Sequence, residues 1–241
     1  MQTTELDTAR PQAAASSQRA LNKTGLKLVI GNKNYSSWSM RPWLVLTAFD
    51  IDFEEIRVPL DRADTAARIA AYSAAGRVPV LIDGNLAVWD SLAICEYLAE
   101  QFAARPLWPQ DTAARAMARS ICAEMHAGFP DLRSQMSMNI HASLPGRGHT
   151  PGAQADIGRI CEIWETCLAN FGHRQFLFGD FSIADAFYAP VVMRFRTYAV
   201  SLAPALQGYA DRVAAHPAVA RWIRESLAET EVIPKYEPGG D

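Results

Sequence analysis

The sequence predicts two parts, a small α/β domain followed by an all-helical one. Short apolar, β-branched runs recur up to Trp89, and no convincing strand follows Thr112. Apolar residues at helical spacing dominate from Thr112 to about Ala228. Between the two patterns lies a stretch with two prolines, 104–111 (ARPLWPQD), read as a linker. The expected division is an α/β domain over 25–103, a linker over 104–111 and a helical domain over 112–241.

Leu26 to Gly31 (LKLVIG) ends at a Gly-Asn break and reads as a buried strand. Met40 to Phe49 has helical spacing, with Leu44, Val45 and Phe49 able to share a face. Pro42 is tolerated there, because a first-turn N–H has no intrahelical partner. Phe53 to Leu60 is a second strand, Thr65 to Tyr72 a short helix and Val78 to Ile82 a third strand. Asp83-Gly84-Asn85 turns the chain into a fourth strand, Leu86 to Trp89. Ser91 to Phe102 is helical again. The order β-α-β-α-β-β-α pairs the first two strands in parallel through a right-handed crossover and adds an antiparallel hairpin. That is a thioredoxin-like arrangement. Helices are then expected over Thr112–Asn139, Pro151–Phe171, Ile183–Tyr198, Pro204–Ala214 and Pro217 to about Ala228, with a surface loop over 141–150.

Composition narrows the function. Of 241 residues, 49% are hydrophobic and 20% charged, and the net charge of −3 is mixed along the chain, as in a soluble folded protein. A basic stripe able to neutralise phosphates is missing, which argues against nucleic acid. The apolar runs fall short of the roughly 20 residues a membrane helix requires. Cys95, Cys122, Cys161 and Cys167 have no C-x-x-C spacing and fit buried thiols in a reducing compartment. The five histidines form no metal-ligand pattern, so no metal is expected. Residues 1–24 are polar, lack the apolar core of a secretory signal, and are expected to be a disordered extension.

Four local motifs carry a resemblance. They are Ser36-Ser37-Trp38-Ser39-Met40-Arg41, Arg77-Val78-Pro79, Asp90-Ser91-Leu92-Ala93-Ile94-Cys95-Glu96-Tyr97-Leu98, and Phe181-Ser182-Ile183-Ala184-Asp185. In this order the chain resembles the cytosolic glutathione transferase superfamily, as a serine-type, bacterial zeta-like member. The first run is similar to the zeta-class Ser-Ser-Cys-Ser-x-Arg, and the second falls where the family places a cis-proline. The third looks like the family's (Glu/Gln/Asp)-Ser-x-Ala-Ile-x-x-Tyr-Leu helix start. The fourth resembles the capping box that opens a core helix of the second domain. The resemblance implies glutathione as co-substrate, a small electrophile as second substrate, a cytoplasmic location and a homodimer.

Each motif also has a physical reason. A thiol with an ordinary pKa of about 8.5 is mostly protonated at neutral pH, so a transferase must favour the thiolate. A hydroxyl donor and the positive end of a helix both do so, and Ser36, Ser37 and Ser39 sit at a loop-to-helix junction that provides both. Ser39 or Ser37 is expected to cap the helix, serine being a favoured N-cap. The zeta register points to Ser36 as sulfur partner, counting back from Arg41 points to Ser37, and Ser39 or Tyr35 are further candidates. A cis Val78-Pro79 bond would turn the Val78 N–H and C=O outward to pair with the cysteinyl unit of glutathione. Ser91 and the free N–H groups of its helix suit the γ-glutamyl carboxylate, a role that does not exclude Ser91 as a plain N-cap. Asp90 suits the γ-glutamyl ammonium, and Arg77 the glycyl carboxylate or open solvent. Ser182 and Asp185 are structural, each accepting from the other's backbone N–H.

The electrophile pocket is expected between the domains, with Met125, His126, Phe129, Arg133 and Met136 as candidates beside a plain packing role. Arg194 and Arg196 lie in an apolar helix, where an arginine needs an anionic partner or an exit to solvent. The leading function is glutathione S-transfer. A maleylacetoacetate-type cis–trans isomerase is the alternative. Two departures count against it: Trp38 replaces the zeta cysteine, and Thr197 stands where a basic residue is expected. A non-catalytic glutathione-binding or scaffold protein is a further alternative. Glutathione-dependent reduction normally needs a cysteine at the helix start, and none occupies 35–41.

Overall fold

In the computed structural model, which describes residues 25–171 and 175–237, four strands form a mixed sheet of order β2-β1-β3-β4. The expected extension over 1–24 lies outside the described residues. β1 (Lys27–Ile30) runs parallel to β2 (Glu54–Arg57) and antiparallel to β3 (Val80–Asp83), which pairs antiparallel with β4 (Leu86–Trp89). The strands are shorter than the apolar runs that announced them. The Leu60 N–H leaves the ladder to donate to Asn32 Oδ1 at 2.8 Å. Pro79 has no N–H to offer, so β3 starts at Val80 rather than Val78. Gly84 and Asn85 make the two-residue turn of the hairpin, and Gly84 takes the positive φ of 56° that such a turn demands.

Alternation along β1 divides the core. Leu28 and Ile30 face α1 (Ser37–Ala48) and α3 (Ser91–Gln101), within a cluster containing Trp43, Leu44 and Ile94. Val29 faces the other side, where it meets Val58, Val80 and Ile69 of the short α2 (Thr65–Ala70). The first helix begins at Ser37, three residues earlier than its apolar spacing predicts, because the Ser36 carbonyl already accepts from Met40 N–H at 3.1 Å. Pro42 is therefore beyond the first turn, and its missing N–H leaves the Trp38 carbonyl without its helical donor.

The helical domain comprises α4 (Thr112–Ala127), α5 (Pro130–Gln135), α6 (Pro151–Asn170), α7 (Ile183–Thr197), α8 (Pro204–Ala215) and α9 (Pro217–Leu227). The single helix expected over Thr112–Asn139 is thus two helices. Pro130 disfavours the helical conformation for the residue before it, and Phe129 turns left-handed at φ 58°. A Cβ at Gly128 would stand 2.7 Å from the Glu124 carbonyl oxygen, so only glycine fits the corner. This corner redirects the chain so that Arg133 on α5 points to the interdomain cleft. α7 is buried almost throughout and packs between α1 and the helices of its own domain. Its capping box is formed: Asp185 accepts from Ser182 N–H at 2.9 Å, and Ser182 Oγ accepts from Ala184 N–H at 3.3 Å.

After α9 the chain returns to the first domain. Glu229 accepts from the Lys33 and Asn34 N–H groups at 2.8 and 3.2 Å. Lys33 pairs with Glu55 and Glu225 and lies over the rings of Trp43 and Trp222. Tyr35 donates its hydroxyl proton to Glu237 at 2.5 Å. These contacts hold the loop that delivers Ser36. Cys95, Cys122 and Cys167 are buried and Cys161 half-buried, all free thiols. No described helix is long and apolar enough to cross a membrane.

Candidate functional site

Two adjoining cavities, about 520 and 590 Å³, open between the domains and share Trp38, Arg77, Val78 and Arg133. The first is bounded by Ser36, Ser37, Arg194 and Tyr236. The second is bounded by Pro79, Asp90, Ser91 and His126. Among the described residues no group of three or more His, Cys, Asp or Glu is placed to hold a metal ion.

The three serines have separate situations. Ser36 is the N-cap residue of α1 but its side chain caps nothing; it donates to Ser39 Oγ at 2.7 Å. Ser39 Oγ also accepts from the Gly31 N–H at 3.1 Å, tying the end of β1 to the helix. Ser39 is fully buried and borders neither cavity, which corrects its assignment as a glutathione contact: its hydroxyl is taken up inside the fold. The expectation that Ser37 or Ser39 caps the helix is likewise corrected. Ser37 Oγ accepts from Arg194 Nη2 at 3.3 Å and faces the first cavity.

The Val78–Pro79 peptide is cis. The sheet ladders begin at Val80, so the Val78 N–H and carbonyl lie outside them, at the wall common to both cavities. Arg77 is exposed at the same wall. At the start of α3 the cap is Asp90, not Ser91: Asp90 Oδ1 accepts from Leu92 and Ala93 N–H at 2.8 and 3.3 Å. That leaves Ser91 as the first helical residue, its Oγ accepting from Arg41 Nη1 at 3.5 Å. Asp90 Oδ2 lies 3.1 Å from His126 Nε2.

Asp90 adopts φ 76°, ψ 134°, a conformation that a Cβ disfavours by about 1–3 kcal/mol. An Asp-to-Gly change at an N-cap costs only a few tenths of a kcal/mol. Asp90→Gly is therefore expected to stabilise the fold by about 1 kcal/mol in thermal denaturation.

Beneath the cleft lie arginines whose burial the sequence reading did not assign. Arg41 is 1% exposed and stacked between Trp38 and Phe187, with its guanidinium carbon 4.2 and 4.6 Å from the ring centroids. Burial, then the nearby Arg194, lowers its pKa to about 9. Its Nε has no hydrogen-bond partner. Arg194 donates from Nε to the Met136 carbonyl at 2.8 Å and from Nη1 to the Pro190 carbonyl at 3.2 Å. Burial, then Arg133, lowers its pKa to about 10. Arg133 lies over Trp38 at 5.4 Å and donates to the His126 carbonyl at 3.1 Å. Among the described residues none of the three makes an ion pair with a carboxylate. The signal for Arg41 was present, since it interrupts the otherwise apolar face of α1.

Of the electrophile-pocket candidates, His126 and Arg133 reach the cavities. Met125, Phe129 and Met136 belong to the hydrophobic core, where helical spacing placed them for packing. Arg194 points inward and Arg196 is exposed to solvent.

Family models described as the N-terminal and C-terminal domains of glutathione S-transferase match residues 35–101 and 114–225. This chain belongs to the glutathione S-transferase family. A glutathione S-transferase from Dianthus caryophyllus is 27% identical over 169 residues, 69% of this chain and 76% of that relative. A probable maleylacetoacetate isomerase from Caenorhabditis elegans is 26% identical over 195 residues, 80% of this chain and 85% of that relative. A glutathione transferase homologue from Burkholderia, crystallised with bound glutathione, superposes with a TM-score of 0.66 at 24% identity, covering 85% of this chain and all of that one.

Proposed function

We propose that the cleft binds glutathione, ionises its thiol and directs the thiolate at a small electrophile, making the chain a zeta-like glutathione S-transferase. The observation that carries this is convergence: the hydroxyls at the start of α1, the free backbone of Val78 and the start of α3 all open onto one cleft. In this reading the second cavity takes the γ-glutamyl group, with its ammonium at Asp90 and its carboxylate at Ser91 and the α3 N–H groups. The cysteinyl main chain pairs with Val78, next to Pro79, and Arg77 meets the glycyl carboxylate. The sulfur then reaches the first cavity, beside Ser36 and Ser37, where the electrophile enters. The thiol proton leaves to solvent, a carbon–sulfur bond forms, and the leaving group departs with its bonding electrons.

The division into 25–103, 104–111 and 112–241, a homodimer and a cytoplasmic location complete this reading. Isomerisation of a maleylacetoacetate-type substrate is the second reading, favoured by Arg133 and Arg194 at the first cavity, neither ion-paired to a carboxylate among the described residues, which suits a carboxylate substrate. Parallel assays separate the readings: glutathione conjugation to a chloronitrobenzene, and isomerisation of maleylacetone. Conjugation is expected with purified protein. Isomerisation alone would favour the second reading, glutathione binding without either activity would make this a binding protein, and no glutathione binding at all would overturn the proposal.

A further inference from the structure

We propose that Ser37, held and polarised by Arg194, is the hydroxyl that stabilises the glutathione thiolate, with Arg194 as a positioning residue acting through it. This rests on the glutathione reading above, and it selects between two adjacent serines and adds a residue from the other domain.

A serine hydroxyl has one proton to donate and two lone pairs with which to accept. Ser36 Oγ is hydrogen-bonded to Ser39 Oγ at 2.7 Å, and Ser39 Oγ in turn takes the Gly31 N–H. Turning Ser36 toward a sulfur would disturb this buried hydrogen bond at the start of α1. At Ser37 the polarity is fixed by a partner that can only donate. Its oxygen accepts from Arg194 Nη2 at 3.3 Å, so its proton remains to be donated, and the residue faces the first cavity. Ser37 is also the first residue of α1, where the helix dipole favours an anion.

Arg194 is built to stay in place. Two carbonyls, of Met136 and Pro190, hold its guanidinium from α5's end and from α7 itself. No carboxylate neutralises it among the described residues, and water is largely excluded at 5% exposure. A fixed positive charge one hydrogen bond behind Ser37 strengthens that hydroxyl as a donor and favours negative charge beyond it. The other charged or titratable groups facing this cavity are Arg77, Arg133, Tyr35, Tyr236 and the Lys235–Asp61 pair. Arg77 and Arg133 add to the same effect, and Lys235 is already paired. Arg41 and Ser91 repeat the arrangement at the start of α3. In both places a buried arginine fills the acceptor side of a first-turn serine.

The test is an ultraviolet titration of the thiolate of bound glutathione in wild type, Ser37→Ala, Ser36→Ala and Arg194→Gln. A parallel measurement follows the affinity for S-methylglutathione, which has no ionisable thiol. A hydrogen bond to a charged group is worth roughly ten- to a hundredfold in thiolate population, so Ser37→Ala should raise the thiol pKa by about one to two pH units. Arg194→Gln should raise it by about one, with S-methylglutathione affinity retained, and Ser37→Thr should restore the wild-type value. A larger rise for Ser36→Ala than for Ser37→Ala would overturn the proposal, as would a wild-type thiol pKa in Arg194→Gln. If Arg194→Gln does not fold, the serine pair still decides between the two hydroxyls. Failure of wild type to bind S-methylglutathione would instead overturn the glutathione reading itself.

Discussion

Asp185→Ala should lower the folding free energy by about 4 kcal/mol and the melting temperature by about 10 °C. The carboxylate is fully buried and accepts from Ser182 N–H, Ser182 Oγ, Leu177 N–H and Tyr209 Oη, at 2.9 to 3.1 Å. Alanine leaves those donors in a site without water, and each unsatisfied one costs about 1–3 kcal/mol. The loss falls on α7, which carries Arg194 and packs against α1, so denaturation is expected to move far more than the glutathione affinity of the folded fraction. Denaturant titration together with calorimetric binding checks both halves. A pH dependence accompanies it. Burial raises the Asp185 pKa from 3.8 to about 6, against the opposing pull of its four donors. Between those values the folded chain keeps a proton that the unfolded chain has released. Its contribution to stability is therefore full below pH 3.8 and lost as pH rises through about 6. Asp185→Asn should remove that slope from the stability profile.

Arg41→Met should have the opposite sign. Among the described residues Arg41 is a cation buried without a carboxylate, stacked on two aromatic rings and hydrogen-bonded to Ser91 at 3.5 Å. Replacing buried charges by apolar groups of similar volume is often stabilising by about 1–4 kcal/mol. A gain of about 1–2 kcal/mol is expected here, because the lost cation–π contacts offset part of it. Glutathione affinity should fall about tenfold or more, since Ser91 loses the donor that orients its hydroxyl and α3's anion site loses a nearby positive charge. Arg41→Met and Asp90→Gly would then show the same exchange, stability gained where the glutathione site is weakened. Urea midpoints and glutathione titration calorimetry read the two quantities separately.

The order of elements in the first domain was legible because its determinants are local: a short apolar, β-branched run in Leu26–Gly31, a Gly84-Asn85 turn and a strand–helix–strand start. The capping box was legible for the same reason, Ser182 and Asp185 being three residues apart. The broken helix at Gly128-Phe129-Pro130 was written in the sequence too, but the apolar spacing on either side masked it. What the sequence did not carry was hydrogen-bond polarity. Ser36, Ser37 and Ser39 are chemically alike in one dimension. They differ because Gly31, just past β1, and Arg194, from α7, approach two of them. Likewise Asp90 and Ser91 both suit an N-cap, and the positive φ of Asp90 decides which one serves. Arg194 and Arg196 are two residues apart on one helix, so they point to different sides, and packing against the first domain settles which is buried.

The central claim, that this cleft binds glutathione and ionises its thiol, meets its most direct test in calorimetry. Glutathione would be titrated into the protein at neutral pH in two buffers of different ionisation enthalpy. A saturable isotherm with release of about one proton per site is expected, since the free thiol is mostly protonated at that pH. Binding without proton release, or no saturable binding, would contradict it.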